Sequence, residues 1–128
     1  MILDSSAIVA ILLQEPEHEV LQSKLAAAPS LGVGTPTLLE AAIVLSARLE
    51  RNAQGILARF IQETDTVAIP FSQAHYSAAH QAWLSYGKGR HPAALNFGDC
   101  AAYATAQLAG EPLLCTGNDF SQTDLELA

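Results

Sequence analysis

Apolar residues along the chain fall into two patterns that alternate from one end to the other. Short apolar runs bounded by turn residues have the length of buried strands. Between them apolar residues recur every three or four positions, as on a helix with one face inward. "MILD" is the first run, and the segment behind it, as far as Leu13, reads as a helix that Ser5 or Ser6 can cap. A second helix spans about Glu17 to Ala28, "AAPS" breaks it, and "SLGVGT" has the size and content of a second strand.

Pro36 suits the first turn of a third helix, with Thr35 as its cap. That helix, "PTLLEAAIVLSARLER", carries a stripe at Leu39, Ile43, Ser46 or Ala47, and Leu49, and ends in Arg48 and Arg51, which suit a negative helix terminus. "NAQGILARFIQET" predicts a fourth helix with Ile56, Leu57, Phe60 and Ile61 inward, "TVAIP" a third strand, and "SQAHYSAAHQAWLSYG" a fifth helix. After the loop "GKGRHPAALNFG" comes a helix from Asp99 to Leu108, stopped by Gly110, and then the last strand, "PLLCT". Strands separated throughout by helices predict an α/β fold, a parallel sheet covered by helices on both faces.

Composition narrows the picture. With 128 residues, half of them hydrophobic, the chain can bury the core of one domain spanning 1–128. Thirteen acidic against six basic residues leave a net charge of −7, which excludes the diffuse basic surface of most nucleic-acid binders. Any phosphate contact must be local or carried by a metal ion. The apolar start lacks a basic leader and its longest apolar run, Ala7 to Leu13, falls far short of the roughly 20 residues of a membrane span. Neither export nor a membrane partner is expected, and the predicted location is cytoplasmic. Cys100 and Cys115 have no metal or redox spacing and read as buried thiols rather than a disulfide.

In an open parallel sheet the functional crevice lies beyond the carboxyl ends of the strands. Four acids fall there: Asp4 after the first strand, Glu40 one turn into the helix after the second, Asp99 at the start of a helix, and Asp119 after the last strand. Taken singly, each has a capping or turn explanation. Taken together they need cations, because two carboxylates about 4 Å apart repel by roughly 4 kcal/mol at an effective dielectric near 20. Oxygen ligands suit Mg²⁺, with Mn²⁺ as the alternative, and such ions bind phosphates and activate water for phosphodiester cleavage.

"MILDSSAIVAILL", "TLLEAAIVLSARL", "LNFGDCAAYATAQLAG" and "LLCTGNDF" together resemble, in order and spacing, the acidic motifs of PIN-domain ribonucleases, specifically the VapC toxins of toxin-antitoxin pairs. The resemblance covers nearly the whole chain. It implies a three-layer α/β/α PIN-like fold in which Asp4, Glu40 and Asp99 are metal-site acids, Ser6 braces the site, and Asp119, or Asn118 beside it, is the last ligand. It also implies an Mg²⁺-dependent endoribonuclease that cleaves RNA by metal-activated water, a small VapB-like antitoxin whose tail covers the acidic pocket, and a homodimer. Lys88, Arg90 and His91 in "YGKGRH" are either an RNA contact or a solvated turn, and their place beside the proposed site favours the contact.

His75 and His80 lie five apart on one helix and so do not share a face as a ligand pair would, and His18 stands alone. Tyr76, Trp83 and Tyr86 have the spacing of a core or dimer-surface stripe rather than a base-stacking platform. The alternative function is a catalytically silent module of the same fold that only recruits a partner. A receiver domain needs a lysine after the last strand, which is absent, and an aspartate-nucleophile phosphatase commonly has a second Asp two residues after the first, where this chain has Ser6.

Overall fold

A computed structural model describes residues 1–128. Four strands form one parallel sheet: β1 (Ile2–Leu3), β2 (Gly32–Gly34), β3 (Val67–Ile69) and β4 (Leu113–Leu114), in the order β3-β2-β1-β4. Helices α1 (Ser5–Leu12) and α2 (His18–Ala27) connect β1 to β2, α3 (Thr35–Leu49) and α4 (Gln54–Glu63) connect β2 to β3, and α5 (Gln73–Tyr86) and α6 (Phe97–Ala109) connect β3 to β4. Alternation within the two-residue strands separates the layers. Leu3 and Leu114 point into a core with residues of α1 to α4, while Ile2 and Leu113 point into a second core with residues of α5 and α6. The predicted parallel α/β/α arrangement is therefore the observed one.

Two features of this topology position a site. Successive crossovers move from β1 to β2 to β3, and the last returns to the far side of β1, so the chain leaves β1 and β4 in opposite directions. A crevice opens at such a switch point, beyond the carboxyl ends of the two strands. The second feature is close packing of α6 on the sheet: a side chain at Gly34 would meet Thr105 Oγ1 at 2.7 Å, so glycine at the end of β2 admits the helix.

Several local expectations are corrected. Asp4, not Ser5 or Ser6, caps α1, because its carboxylate accepts the Ser6 N–H. Thr35 is already helical and Gly34 stands at the cap of α3 with no side-chain bond, Pro36 lying in the first turn as expected. The buried face of α3 is Thr37, Ala41 and Leu45, whereas Leu39 and Ile43 are about 60% exposed, at 62% and 59%. Apolar residues occupy more than one side of this helix, so periodicity alone did not select the inward face. The acidic helix begins at Phe97, with Asn96 as cap and Asp99 at its third position, and ends as expected at Gly110, whose φ of 65° is left-handed. Of the two readings of the aromatic stripe, exposure of Tyr76 and Trp83 removes the core and leaves the surface, whereas Tyr86 is half-buried against Tyr103. No helix is long and apolar enough to cross a membrane.

Candidate active site at the carboxyl ends of the strands

Asp4 follows β1 directly. Its backbone N–H donates to Leu114 O of β4 at 2.9 Å, which ties the residue to the junction of β1 with the edge strand β4. The side chain is buried and accepts from Ser6 Oγ at 2.5 Å and from Ser6 N–H at 3.2 Å. Burial pushes its carboxyl above the ordinary range, the two Ser6 bonds work against that shift, and the charge of Glu40 adds to it. Ser6 Oγ also accepts the Thr116 N–H at 3.0 Å, so one hydroxyl links the residues after β1 and after β4.

Glu40 reaches the same place from the second turn of α3, where Ser5 Oγ donates to its Oε1 at 2.6 Å. From the other side the first turn of α6 closes in: a side chain at Gly98 would collide with the Glu40 carboxylate. Asp99, one residue on, forms a reciprocal cap with Asn96. Its Oδ2 accepts the Asn96 N–H at 3.1 Å, and its own N–H donates to Asn96 Oδ1 at 2.9 Å. Burial lifts the Asp99 carboxyl to about 6; the Asn96 bond lowers it, and the charges of Asp119, Asp4 and Glu40 raise it further. The same field reaches Cys115, whose thiol is pushed up to about 11 by burial and then by Asp4, Asp119 and Asp99.

The fold thus brings Asp4, Glu40, Asp99 and Asp119 within electrostatic reach of one another. Neither of the chain's two ion pairs, the N-terminus with Glu111 and Arg59 with Glu63, involves any of the four. As the side chains stand, no three His, Cys, Asp or Glu groups are gathered tightly enough to share one ion. Asp119 is exposed at the rim, and it is its charge that acts on Asp99 and Cys115. Asn118, the other candidate, is exposed too and contributes its backbone carbonyl to the turn by accepting Ser121 Oγ at 2.8 Å. The donor set is all oxygen and mutually repulsive, which fits a hard divalent cation in kind. Beside it lies a hollow of about 260 Å³ lined by Ser5, Ser6, Glu40, Thr116 and the exposed Arg48.

The basic loop is tied into the fold more closely than its composition suggested. Arg90 Nε donates to Leu84 O at 3.2 Å and its guanidinium lies 5.0 Å from the Trp83 ring centre. His91 is half-buried, accepts the Ala93 N–H at 3.0 Å, and packs edge-on against Tyr86. Lys88 is exposed. The remaining histidines have local structural contacts: His75 completes the cap of α5 with Ser72, and His18 Nδ1 lies 2.8 Å from Glu15 O. Reading along the sequence missed Ser5, Asn96, Gly98 and Thr116. The doubled serine after Asp4 and the Asn three residues before Asp99 were the available signals; nothing local marks Gly98 or Thr116, which matter only through contacts across the fold.

A parallel sheet between helical layers, with carboxylates gathered at its switch point, defines an α/β/α protein with an acidic site. The PIN domain family matches residues 1–126. A VapC ribonuclease of Mycobacterium bovis is 50% identical over 127 residues, covering 98% of this chain and 91% of the relative, and the ribonuclease VapC36 of Mycobacterium tuberculosis matches equally. A ribonuclease VapC of Mycolicibacterium smegmatis is 38% identical over 98% of this chain and 97% of its own. The chain belongs to the PIN-domain family, in the branch of the VapC ribonucleases. Among solved structures, Mycobacterium tuberculosis VapC20, a toxin that cleaves the sarcin-ricin loop, shares the fold with a TM-score of 0.80 at 18% identity over 99% of this chain and 97% of that one. A toxin-antitoxin complex from Klebsiella pneumoniae gives a TM-score of 0.73 at 20% identity over 99% and 95%.

Proposed function

We propose that this chain is an endoribonuclease and the toxin of a toxin-antitoxin pair, a single PIN domain that cuts RNA phosphodiester bonds with the help of Mg²⁺ or Mn²⁺. The observation that carries this is the convergence of Asp4, Glu40, Asp99 and Asp119 without an ion-pair partner, in a chain whose full-length relatives are named VapC ribonucleases. These four carboxylates are the residues that would hold the ion. When bound, a divalent cation supplies Lewis-acid activation of water and charge stabilisation at the scissile phosphate. The chain's own groups do the positioning. Ser6 orients Asp4, Ser5 orients Glu40, and the Asn96 N–H holds Asp99. Asp119, at the exposed rim, is the last of the proposed ligands and can orient the water, and Asn118 is the fallback for the ligand role alone.

Arg48 beside the acidic hollow, with Lys88 and Arg90 in the loop ahead of α6, provides local positive charge for the RNA backbone; His91 braces that loop. A small antitoxin with a basic tail suits the acidic pocket, and the toxin acts as a homodimer. Asp99→Asn keeps the side chain's size and its capping oxygen but removes the ligand charge. The expected result is loss of Mg²⁺-dependent RNA cleavage and of growth arrest, at least a hundredfold, in a protein with an unchanged circular dichroism spectrum. Full activity in this variant rejects the assignment. A silent binding module predicts instead that Mg²⁺ titration of the wild type produces no calorimetric signal at the site.

A further inference from the structure

The hollow of about 260 Å³ beside the acids is a cleft between α1 and α3. Spacing builds it: Glu40, Val44 and Arg48 follow one another every four residues on α3, as do Ser5 and Val9 on α1. One end is the acidic site itself, with Ser5, Ser6, Glu40 and Thr116 in its wall. Arg48 stands at the other, just over two turns on from Glu40, roughly 12 Å farther along the helix axis at about 1.5 Å per residue. It is exposed and makes no ion pair, although Glu15 and Glu40 line the same cleft. Thr116 also has a group to spare. Its N–H is committed to Ser6 Oγ, while its hydroxyl has no hydrogen-bond partner in the chain and is open to solvent. Arg90, by contrast, is already engaged with Leu84 O and the Trp83 ring.

We propose that this cleft is the subsite for the nucleotide next to the scissile phosphate, with the Thr116 hydroxyl on the ribose 2′-hydroxyl and Arg48 on the phosphate that follows. The inference rests on the ribonuclease assignment and adds the side of the site along which the strand runs and the group that tells RNA from DNA. Charge supplies the physical reason for Arg48. In a chain of net charge −7 a strand leaving the acids meets repulsion over most of the surface, and an unpaired guanidinium in a cleft that opens from those acids holds its next phosphate. Guanidinium donors also match phosphate oxygens two at a time. Val9 and Val44, between the two ends, offer no competing polar group, so the sugar packs on carbon. Glu15 on the α1 wall keeps the anion to the α3 side. A threonine hydroxyl both donates and accepts, and so does the 2′-hydroxyl that DNA lacks.

The test is binding in EDTA, so that nothing is cut, of a short unstructured fluorescent oligoribonucleotide and of the DNA strand of matching sequence, read by anisotropy over a series of salt concentrations. Wild type is expected to bind the RNA strand about fivefold more tightly than the DNA strand. Thr116→Val keeps the side chain's shape and the N–H that meets Ser6, and is expected to bind the two strands alike, through a loss confined to RNA. Thr116→Ser, which retains the hydroxyl, is expected to retain the preference. Arg48→Ala is expected to bind both strands about fivefold more weakly at low salt and to flatten the slope of log affinity against log salt by about 0.7, the share of one phosphate on a single strand. A wild type without preference for RNA, a Thr116→Val protein that keeps the preference, or an Arg48→Ala protein with the wild-type slope each overturns the proposal. Misfolding does not imitate the Thr116→Val result, because it lowers binding of both strands together. Cleavage in Mg²⁺ keeps the two readings apart. A wild type that prefers RNA but cuts none defeats the ribonuclease assignment and leaves the subsite standing; one that cuts RNA while Thr116→Val and Arg48→Ala keep its KM defeats the subsite alone.

Discussion

Ser6 shows how much a small residue carries at this site. Its Oγ donates to Asp4 and accepts from Thr116 N–H, so the hydroxyl both aims a buried carboxylate and clips the segment after β4 to the start of α1. Ser6→Ala leaves a buried charge short of one donor and a backbone N–H short of one acceptor. A bond to a charged group contributes about 1.5–3 kcal/mol, and a neutral one about 1 kcal/mol. The expected loss is about 2.5–4 kcal/mol in urea unfolding, together with RNA cleavage that is weak at low Mg²⁺ and largely restored at high Mg²⁺, because the proposed ligand Asp4 is present but loosely held. Restoration separates a bracing residue from a proposed ligand such as Asp99, whose loss excess metal would not repair. The pair Asp4–Ser6 was legible in the sequence. The Thr116 contact was not, since a bond between residues 110 apart has no local trace.

At the scale of elements, α3 and α6 meet at the site, and their contact explains one glycine. Gly98 lies in the first turn of α6, against the Glu40 carboxylate. Helix propensity alone favours alanine over glycine by up to about 1 kcal/mol, but the methyl group of Gly98→Ala pushes Glu40 off Ser5 and loses a bond to a charged group, so the melting temperature is expected to fall slightly. RNA cleavage is expected to fall at least tenfold. Full activity is the result that contradicts this. The outline of both helices was readable from apolar spacing, as were the stops at Gly110 and in the first turn at Pro36. The inward face of α3 was not, because Leu38, Leu39, Ala42, Ile43 and Val44 surround Ala41 and Leu45 with residues equally apolar. Only contact with α1 and α6 decides that Ala41 and Leu45 turn inward and that Leu39 and Ile43 line an open groove against α4.

Across the whole molecule, clustered carboxylates link stability to pH. Asp99 holds its proton up to about 6, against 3.8 for an ordinary aspartate, and Asp4 shifts in the same direction. Between these values the folded chain binds protons that the unfolded chain has released, so stability decreases as pH rises through the window. The metal-free protein is therefore expected to melt lower at pH 7.5 than at pH 5, and Mg²⁺ to raise the melting temperature more at pH 7.5, where the site is fully ionised. Asp99→Asn should flatten the metal-free profile. Scanning fluorimetry with EDTA or Mg²⁺ checks all three, and a wild-type profile that climbs from pH 5 to 7.5 in EDTA contradicts the linkage.

What the sequence by itself determined is the order of elements and the four acids at strand and helix ends, because periodicity, turn residues and caps are local and their physics acts within a few positions. Tertiary structure alone decided the rest. The placing of β4 beside β1 makes one crevice of Asp4 and the segment after Leu114, and the packing of α6 against α3 sets Gly98 under Glu40. The outward turn of Tyr76 and Trp83 likewise chooses the surface for residues whose spacing suggested either a core or a dimer surface. Each of these depends on which faces meet across the fold, and a spacing along the chain is the same whichever face turns inward.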